Sequence, residues 1–428
     1  MRQFITPLSS PDAADAARFG PKAANLAVLG YSGLPIPGGY AVAADAYRLQ
    51  LAALGLEPVA RAVFSADDAV ARRSALQLRM RLMDQSIRSE VEEPLLAAWR
   101  SVISGGAVPG VVRSSALVED RFGSSFAGQF ESFLGLANET DFLTAVRACW
   151  AALWAPRALR YMATHGVDPA DTAMALLVQP LVAAQAAGGG LSRTAEGGML
   201  VNATPGLGAA IAQGEVAPDR YTLGRNGALH EYQAGITYHQ VDCVHQRRPA
   251  RPPRASAPCL KPAQVQELGQ LMLQAERIMG MPVEVEWALD GEGITLLQAR
   301  PLHLDDNGPS AVPDQIWLRQ PRLRGQPAGV GWGTGRARVV NCECEIARLG
   351  PGDVLVTRMA GPALGRVLAT VSGVVSELGG STSHLASLAR ERCVPMVLGV
   401  PGATLQIPEG VQVAVDGVAG IVRWMANR

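Results

Sequence analysis

The segment 377–391 constrains the fold of this chain more than any other. A glycine pair and three small hydroxyl residues lead directly into one histidine, His384. Ser383 is a residue type that caps helix N-termini, and the apolar residues after His384 have the spacing of one helix face. We therefore predict that His384 lies in the first turn of a helix, where backbone N–H groups and the helix dipole stabilise an anion.

An imidazole in this position can act as a nucleophile near neutral pH, because its uncharged form keeps a lone pair. Gly379 and Gly380 would let the backbone approach a bulky phosphate closely. The alternative for the loop taken alone is an ordinary surface histidine beside a helix cap. The sequence around the loop favours the first interpretation.

Short apolar runs surround the histidine, at 352–359, 372–376, 394–400 and 413–417. With the loop, they resemble the phosphohistidine swivelling domain of phosphoenolpyruvate synthase, pyruvate phosphate dikinase and rifampin phosphotransferase. The resemblance covers roughly residues 325–425 and is most specific at Gly379-Gly380, Ser383-His384 and Ala389-Arg390-Glu391. It implies that His384 is the phosphorylated residue.

Residues 283–300 form two alternating apolar runs around a glycine-rich turn, which predicts a β-hairpin. A continuous apolar face places Glu286 opposite Gln298 and Glu284 opposite Arg300. This face suits Mg²⁺ and phosphate, although a solvated face with a cross-strand ion pair fits the same spacing. The segment resembles the metal-binding strands of the family's ATP-grasp domain. The resemblance implies that Glu286 and Gln298 hold Mg²⁺ and that Arg300 binds the nucleotide.

Three further residues lie in segments that resemble parts of the same nucleotide-binding domain. Lys22 follows Phe19-Gly20-Pro21, Arg113 lies in the apolar run 111–116, and Gln179 ends the run 174–178. The resemblance implies that Lys22 and Arg113 contact nucleotide phosphates, that Gln179 lies near the adenine, and that 119–129 is a lid loop. Taken alone, Lys22 would be a surface lysine and Arg113 a strand-end ion pair. The chain contains no P-loop sequence.

Composition limits the class of protein. A chain of 428 residues has the length of two or three domains. Acidic and basic residues are equal in number, at 38 each, so no overall field favours nucleic acid or a membrane as a partner. The six cysteines form no CxxC pair, the N-terminus lacks the pattern of a signal peptide, and no apolar stretch is long enough to span a bilayer. We expect a cytoplasmic enzyme.

Helix and strand patterns are mixed along the chain. Predicted helices lie around 22–29, 44–54 and 91–102, and predicted strands at 110–113, 174–178, 199–202, 283–289 and 294–298. We expect an α+β or α/β multidomain protein. It would consist of an ATP-grasp nucleotide-binding domain at 1–305, a linker at 306–324, and a small β/β/α swivelling phosphohistidine domain at 325–428. The linker would permit the small domain to swing between two sites.

The resemblance implies a dikinase-type phosphotransferase that uses ATP and Mg²⁺, with transfer to His384 and release of AMP and phosphate. No segment resembles the acceptor domains of these enzymes, so the acceptor site is expected on these two domains or on a partner subunit. Three hypotheses remain: a phosphotransferase acting on a small molecule such as a specialised metabolite or antibiotic, a subunit of a split dikinase, and a catalytically silent nucleotide-binding regulator. The third hypothesis is disfavoured because the residues that match the family's functional positions are all present: Lys22, Arg113, Glu286, Gln298, Arg300 and His384.

Overall fold

The computed structural model describes residues 4–65, 67–103, 108–119, 126–236, 257–302 and 315–426. The chain divides into two compact units, Met1–Ala183 with Thr295–Pro301, and Ala184–Ile294 with Leu302–Arg428. The predicted domain boundary at 305, residues 306–314 of the predicted linker, and residues 120–125 of the predicted lid loop lie outside the described residues.

The helices and strands up to residue 183 are β1 Ile5–Pro7, α1 Ala16–Tyr31, β2 Tyr40–Val42, α2 Ala44–Ala53, α3 Glu57–Ser65, α4 Asp68–Asp84, α5 Ser89–Val102, β3 Gly110–Ala116, β4 Ser132–Leu136, α6 Glu139–Ala152, α7 Pro156–Thr164 and β5 Met174–Pro180. Those between 184 and 301 are β6 Ala186–Leu191, β7 Met199–Pro205, α8 Ala209–Ala212, β8 Asp219–Leu223, β9 Leu229–Gln233, α9 Pro262–Met279, β10 Val283–Leu289 and β11 Ile294–Pro301. The remainder are α10 Gln315–Leu318, β12 Arg322–Arg324, β13 Gln326–Pro327, β14 Trp332–Val340, β15 Val354–Thr357, β16 Gly373–Ser376, α11 His384–Glu391, β17 Met396–Leu398, α12 Ala403–Gln406, β18 Gln412–Asp416 and β19 Ile421–Trp424.

The first unit contains a five-stranded antiparallel sheet in the order β1-β2-β5-β3-β4. Helix α1 packs against this sheet and is broken at Gly20, which has a φ of 75°. A Cβ atom at Gly20 would collide with the carbonyl oxygen of Ser115 in β3. Glycine therefore lets the second part of α1, which starts at Pro21 and Lys22, lie directly against β3.

Aromatic side chains fill the core of the first unit. Trp99 of α5 is fully buried and stacks on Phe142 of α6, with ring centroids 4.4 Å apart and an interplanar angle of 10°. Gly110, at the start of β3, leaves the space that the Trp99 ring occupies. The amphipathic pattern that predicts a helix at 91–102 thus reflects packing against the sheet.

In the second unit, strands β10, β6, β7, β8 and β9 lie side by side in this order, each antiparallel to its neighbour. Strand β6 is buried along its whole length although it contains three consecutive glycines. Glycine inside a strand often marks a place where another segment approaches closely. On one face, Met272 of α9 occupies the space beside Gly190. Because side chains alternate along a strand, Gly189 faces the other side of the sheet.

The C-terminal part of the second unit forms an eight-stranded sheet in the order β12-β19-β18-β14-β15-β16-β17-β13. Its centre, β14 to β17, is parallel, and its valine-rich strands are buried. Helix α11 begins directly at His384, after β16 and the glycine loop.

The mixture of helices and several sheets confirms the predicted fold class. Strand β10 has the predicted bounds, and β3, β5, β7 and β11 start where predicted but run two or three residues further. Among the helices of the described residues, none combines the length and apolar character that crossing a bilayer requires. The cysteines of the described residues, Cys149, Cys259, Cys342, Cys344 and Cys393, form no disulfide.

We predict that Trp99→Ala destabilises the first unit by about 3–5 kcal/mol, because it leaves a cavity beside Phe142. The expected result is a clearly lower midpoint in thermal or urea denaturation. The control is Leu405→Ala, since Leu405 is 89% exposed and its truncation should change stability by less than about 0.5 kcal/mol. Equal midpoints for the two variants would contradict the packing described for α5.

Candidate functional site

His384 is the first residue of α11, which confirms its predicted placement in the first helical turn. Ser383 is the N-cap, and its Oγ accepts a hydrogen bond from the backbone N–H of Ala386 at 3.3 Å. The imidazole is half-buried, whereas the residues on both sides of it are buried. The helix start therefore holds His384 in a defined place with part of its ring accessible.

The loop before His384 is packed closely against the sheet of the same unit. The backbone N–H of Gly379 donates to the carbonyl oxygen of Val216 at 2.9 Å. A Cβ on Gly380 would lie 2.7 Å from Pro218 Cγ and 3.1 Å from Asn202 Nδ2. The glycine pair does permit a close approach, and the groups that approach it here are these protein atoms.

Thr382 lies directly over Gly189 of β6. A Cβ atom on Gly189 would be only 2.6 Å from the Cβ of Thr382, closer than two non-bonded carbon atoms can approach. The missing side chain of Gly189 is therefore the space into which the histidine loop fits. Sequence reasoning missed this role, although three consecutive glycines in a strand are an unusual signal that could have indicated it.

The register of the sheet connects this contact to Glu286. In the β10–β6 pair, Glu286 is directly opposite Gly189, and residues directly opposite each other project to the same face. The half-buried side chain of Glu286 therefore lies on the face that Thr382 covers. In this way the second unit brings the histidine loop to the sheet face of the predicted metal-binding carboxylate.

The row of directly opposite residues continues across the sheet. Gly189 is opposite Asn202 of β7, and Asn202 is opposite Arg220 of β8. Burial lowers the pKa of the Arg220 guanidinium, and the neighbouring Glu231 and Glu196 partly offset this effect. The carboxylate of Glu286, the position of Gly189, the amide of Asn202 and the guanidinium of Arg220 thus lie on one face of the sheet, beneath the loop.

Two buried oxygen atoms, Thr382 Oγ1 in the loop and Asn202 Oδ1 beneath it, have no hydrogen-bond partner among the described residues. Asn202 donates from Nδ2 to Gln326 Oε1 at 3.2 Å, and the N–H of Ser381 donates to the same oxygen at 3.4 Å. Buried polar atoms without partners are uncommon, and they often indicate bound water or ligand. Both oxygens are able to accept a hydrogen bond from a water molecule or from a ligand.

A buried ion pair also joins the sheet to the helix of His384. Arg390 Nη2 of α11 lies 2.8 Å from Glu284 Oε2 of β10, and both side chains are 7% exposed. Ser387 Oγ lies 3.1 Å from both carboxylate oxygens of Glu284. The sequence predicts that Glu284 lies opposite Arg300 in the β10–β11 hairpin, and this register stays a prediction. The Glu284 carboxylate contacts Arg390 and Ser387 of α11.

The first unit groups five other predicted residues around β3. Arg113 donates from Nη2 to Gln298 Oε1 and from Nη1 to the carbonyl oxygen of Leu297, each at 2.9 Å. Arg300 is two residues further along β11, on the same face as Gln298, and both are buried. Lys22 and Gln179 complete this group.

Lys22 is held beside Arg113 by a buried ion pair. Its Nζ lies 2.9 Å from Glu119 Oε1 and donates to the carbonyl oxygen of Ser114, next to Arg113, at 2.8 Å. The carboxylate of Glu119 also accepts a hydrogen bond from the backbone N–H of Ala116. Lys22 is therefore buried and ion-paired, unlike the surface lysine that its sequence context alone indicated. Glu119 is a second residue whose role sequence reasoning missed.

Gln179 lies on β5, the strand that pairs directly with the strand of Arg113, β3. It is directly opposite Val111, so its side chain projects to the same face as Arg113. The amide is 3% exposed, and its Nε2 donates to the carbonyl oxygen of Pro37 at 3.3 Å. The first unit thus contains three cations and two amides of the predicted set, one on helix α1 and four on strands β3, β5 and β11.

Two protein-family models match this chain. A family model described as the AMP/ATP-binding domain of pyruvate phosphate dikinase matches residues 16–316. The chain belongs to this family. A second model, the mobile domain of PEP-utilising enzymes, matches residues 349–420. The predicted order of a nucleotide-binding domain followed by a phosphohistidine-type mobile domain is confirmed.

Curated relatives extend over nearly the whole chain. It is 30% identical over 437 residues to a probable phosphoenolpyruvate synthase of Archaeoglobus fulgidus, covering 97% of this chain and 57% of the relative. It is 29% identical over 462 residues to the phosphoenolpyruvate synthase of Pseudomonas aeruginosa, covering 98% of this chain and 57% of the relative. With a probable phosphoenolpyruvate synthase of Methanothermobacter thermautotrophicus it shares 28% identity over 417 residues, covering 94% of this chain and 61% of the relative. The chain therefore spans about three fifths of the length of these relatives.

We predict that Gly189→Ala loosens the histidine loop, because the added methyl group and Thr382 cannot occupy the same space. Amide hydrogen exchange measured by mass spectrometry should become faster in the peptide that contains residues 379–387. The matched control is Gly291→Ala, since a Cβ at Gly291 meets no atom within 4 Å. Unchanged exchange in Gly189→Ala would show that the loop does not rest on β6 in solution.

Proposed function

We propose that this chain uses ATP to phosphorylate His384, with release of AMP and phosphate, and passes the phosphoryl group to a small-molecule acceptor. The observation that carries this proposal is the position of the histidine loop on the sheet face of Glu286. A nucleophile and a metal-binding carboxylate on one face are what transfer from a metal-bound nucleotide requires. Membership of the dikinase AMP/ATP-binding family supports it.

The donor atoms fit Mg²⁺ and ATP. Within the described residues, no group of three or more His, Cys, Asp or Glu comes together that could hold a metal. Mg²⁺ bound with a nucleotide needs only one or two protein oxygens, because phosphate oxygens and water complete its coordination. We propose the Glu286 carboxylate and the Gln298 amide oxygen for this role. The bound Mg²⁺ would neutralise phosphate charge and orient the phosphoryl groups.

The cations of the first unit would bind the phosphates. Lys22, Arg113 and Arg300 supply N–H donors, and arginine can bind phosphate oxygens through two parallel hydrogen bonds. Arg113 is already oriented by Gln298 and the carbonyl oxygen of Leu297, so little side-chain freedom would be lost on binding. We propose Gln179 as a contact to the adenine.

In the reaction, a ring nitrogen of His384 attacks the β-phosphorus. An N–P bond forms, and the bond from the β-phosphorus to the oxygen shared with the α-phosphate breaks, so that this oxygen leaves with AMP. Water then attacks the terminal phosphorus, the bond from that phosphorus to the bridging oxygen breaks, and inorganic phosphate leaves phosphohistidine behind. Dipole and N–H groups at the start of α11 would stabilise the added negative charge.

In a second step the acceptor forms a bond to the phosphorus, and the N–P bond breaks so that the imidazole of His384 is regenerated. Because the three relatives are named phosphoenolpyruvate synthases, we propose pyruvate as the first acceptor to test. A specialised metabolite or antibiotic, and an acceptor site on a partner subunit, are the alternatives that the sequence left open. We expect the enzyme to work in the cytoplasm.

We predict that the wild-type protein retains label when it is incubated with Mg²⁺ and ATP labelled at the β-phosphorus. His384→Ala should reduce this label to background, because the nitrogen nucleophile is lost. His230→Ala is the control, since this histidine is exposed on the edge strand β9. ATP binding without any label in the wild type would favour the silent regulator and contradict the proposal.

We predict that Glu286→Gln weakens metal binding at least about tenfold, the lower end of what changes around a metal site cost. The Mg²⁺ concentration for half-maximal labelling should rise, and electron paramagnetic resonance should show weaker Mn²⁺ binding in the presence of a non-hydrolysable ATP analogue. Glu292→Gln, a change to an exposed glutamate in the following turn, should behave like the wild type. Equal metal binding in both variants would remove Glu286 from the site.

A further inference from the structure

The ion pair between Glu284 and Arg390 joins two regions that separate family models describe. Glu284 lies in the region matched by the AMP/ATP-binding model, and Arg390 lies in the region matched by the mobile domain model. The two residues are 106 positions apart in the chain. The contact is therefore a docking contact between the nucleotide-binding and histidine-bearing regions within the second unit.

Arg390 connects this docking contact to the histidine loop. Its Nη1 donates to the carbonyl oxygens of Ser381 at 2.6 Å and Ala328 at 3.4 Å, while Nη2 reaches Glu284. Ser381 is three residues before His384. One guanidinium thus holds the backbone of the loop and the carboxylate of β10 at the same time.

Glu284 is also coupled to the metal-binding side chain. Glu284 and Glu286 are two residues apart on β10 and therefore project to the same face. A carboxylate that fixes α11 over this face sets the position of His384 relative to Glu286. Moving Glu284 or its partner would displace His384 relative to Glu286.

The chemistry of the contact suits an interface that opens and closes. A buried ion pair loses water when it forms, and each ion regains its water when the pair separates, so opening it exposes charged groups to solvent and not an apolar surface. Ser387 adds a hydroxyl contact to the same carboxylate. Removing one partner has a different effect, because it leaves the other charge buried without compensation.

We propose that Glu284 is a positioning residue that docks the His384 loop for the ATP-dependent step and releases it for the acceptor step. This inference rests on the proposed phosphorylation of His384. It assigns to Glu284 a contact with Arg390 and Ser387, and no contact with the nucleotide. Its loss should therefore slow transfer to His384 without weakening ATP binding.

Glu284→Gln is the best test variant, because it keeps the shape of the side chain and leaves the bonds of Arg390 to Ser381 and Ala328 in place. Ser387→Ala is a milder second variant on the other side of the contact. The control is Glu409→Gln, which removes a carboxylate that pairs with Arg338 and Arg348 at the surface of the same unit. All variants are compared as full-length chains.

The experiment measures labelling of His384 from β-labelled ATP over a range of ATP concentrations. In Glu284→Gln the rate at saturating ATP should fall at least about tenfold, with a smaller decrease in Ser387→Ala. The ATP concentration for half-maximal rate should stay within about twofold of the wild type, since ATP contacts are retained. Glu409→Gln should match the wild type in both quantities.

Amide hydrogen exchange provides the second readout and separates this inference from the proposed function. Faster exchange in residues 379–390 of Glu284→Gln, with no change in Glu409→Gln, supports the docking role. Unchanged exchange and an unchanged labelling rate would overturn it. If the wild-type protein is not labelled by β-labelled ATP, the proposed function is refuted. The hydrogen-exchange measurement would in that case still test whether Glu284 docks the histidine loop.

Discussion

The missing side chain at Gly189 is the constraint on which the site of the second unit depends. It leaves a space in the sheet that Thr382 fills, and no other residue type could stand there with the loop in its present place. Because Gly189 is directly opposite Glu286, this contact brings the histidine loop to one particular face. The buried pair of Glu284 and Arg390 then fixes α11 over the same face.

Local sequence was sufficient to predict several features of the fold. The N-cap at Ser383 and the apolar spacing after it predicted the start of α11, and the alternating pattern of 283–289 predicted β10. These features depend on residues that are near in the chain, so capping and periodicity reveal them. The family resemblance carried the order of the two domains, which the family models confirm.

The contacts between distant segments could not be predicted in the same way. The partner of Glu284 is 106 residues away, and nothing in the pattern of β10 distinguishes a strand-to-strand pair from a strand-to-helix pair. The burial of Lys22 depends on Glu119, which approaches it only because Gly20 turns α1 against β3. The glycine run of β6 was visible in the sequence, but its meaning appears only when Thr382 is placed above it.

The residues proposed to act in the reaction fall into two groups with different physical tasks. In the proposed function, the first group would supply oxygen ligands and cations, on whose placement phosphoryl transfer chiefly depends: Glu286, Gln298, Lys22, Arg113 and Arg300. The second group, Gly189, Glu284, Ser387 and Arg390, is proposed to position His384. Positioning of this kind also contributes to rate, since small displacements of reacting groups are costly.

Whether the histidine loop and Glu286 form one site is tested most directly by the distance in solution between His384 and a metal ion bound with the nucleotide. With Mn²⁺ and a non-hydrolysable ATP analogue bound, paramagnetic broadening of the histidine ring resonances in a nuclear magnetic resonance spectrum reports which ring lies near the metal. We expect selective broadening of the His384 resonance, which Glu286→Gln should diminish. A His384 resonance that stays sharp while the metal is bound would contradict the claim that the histidine loop and Glu286 form one site.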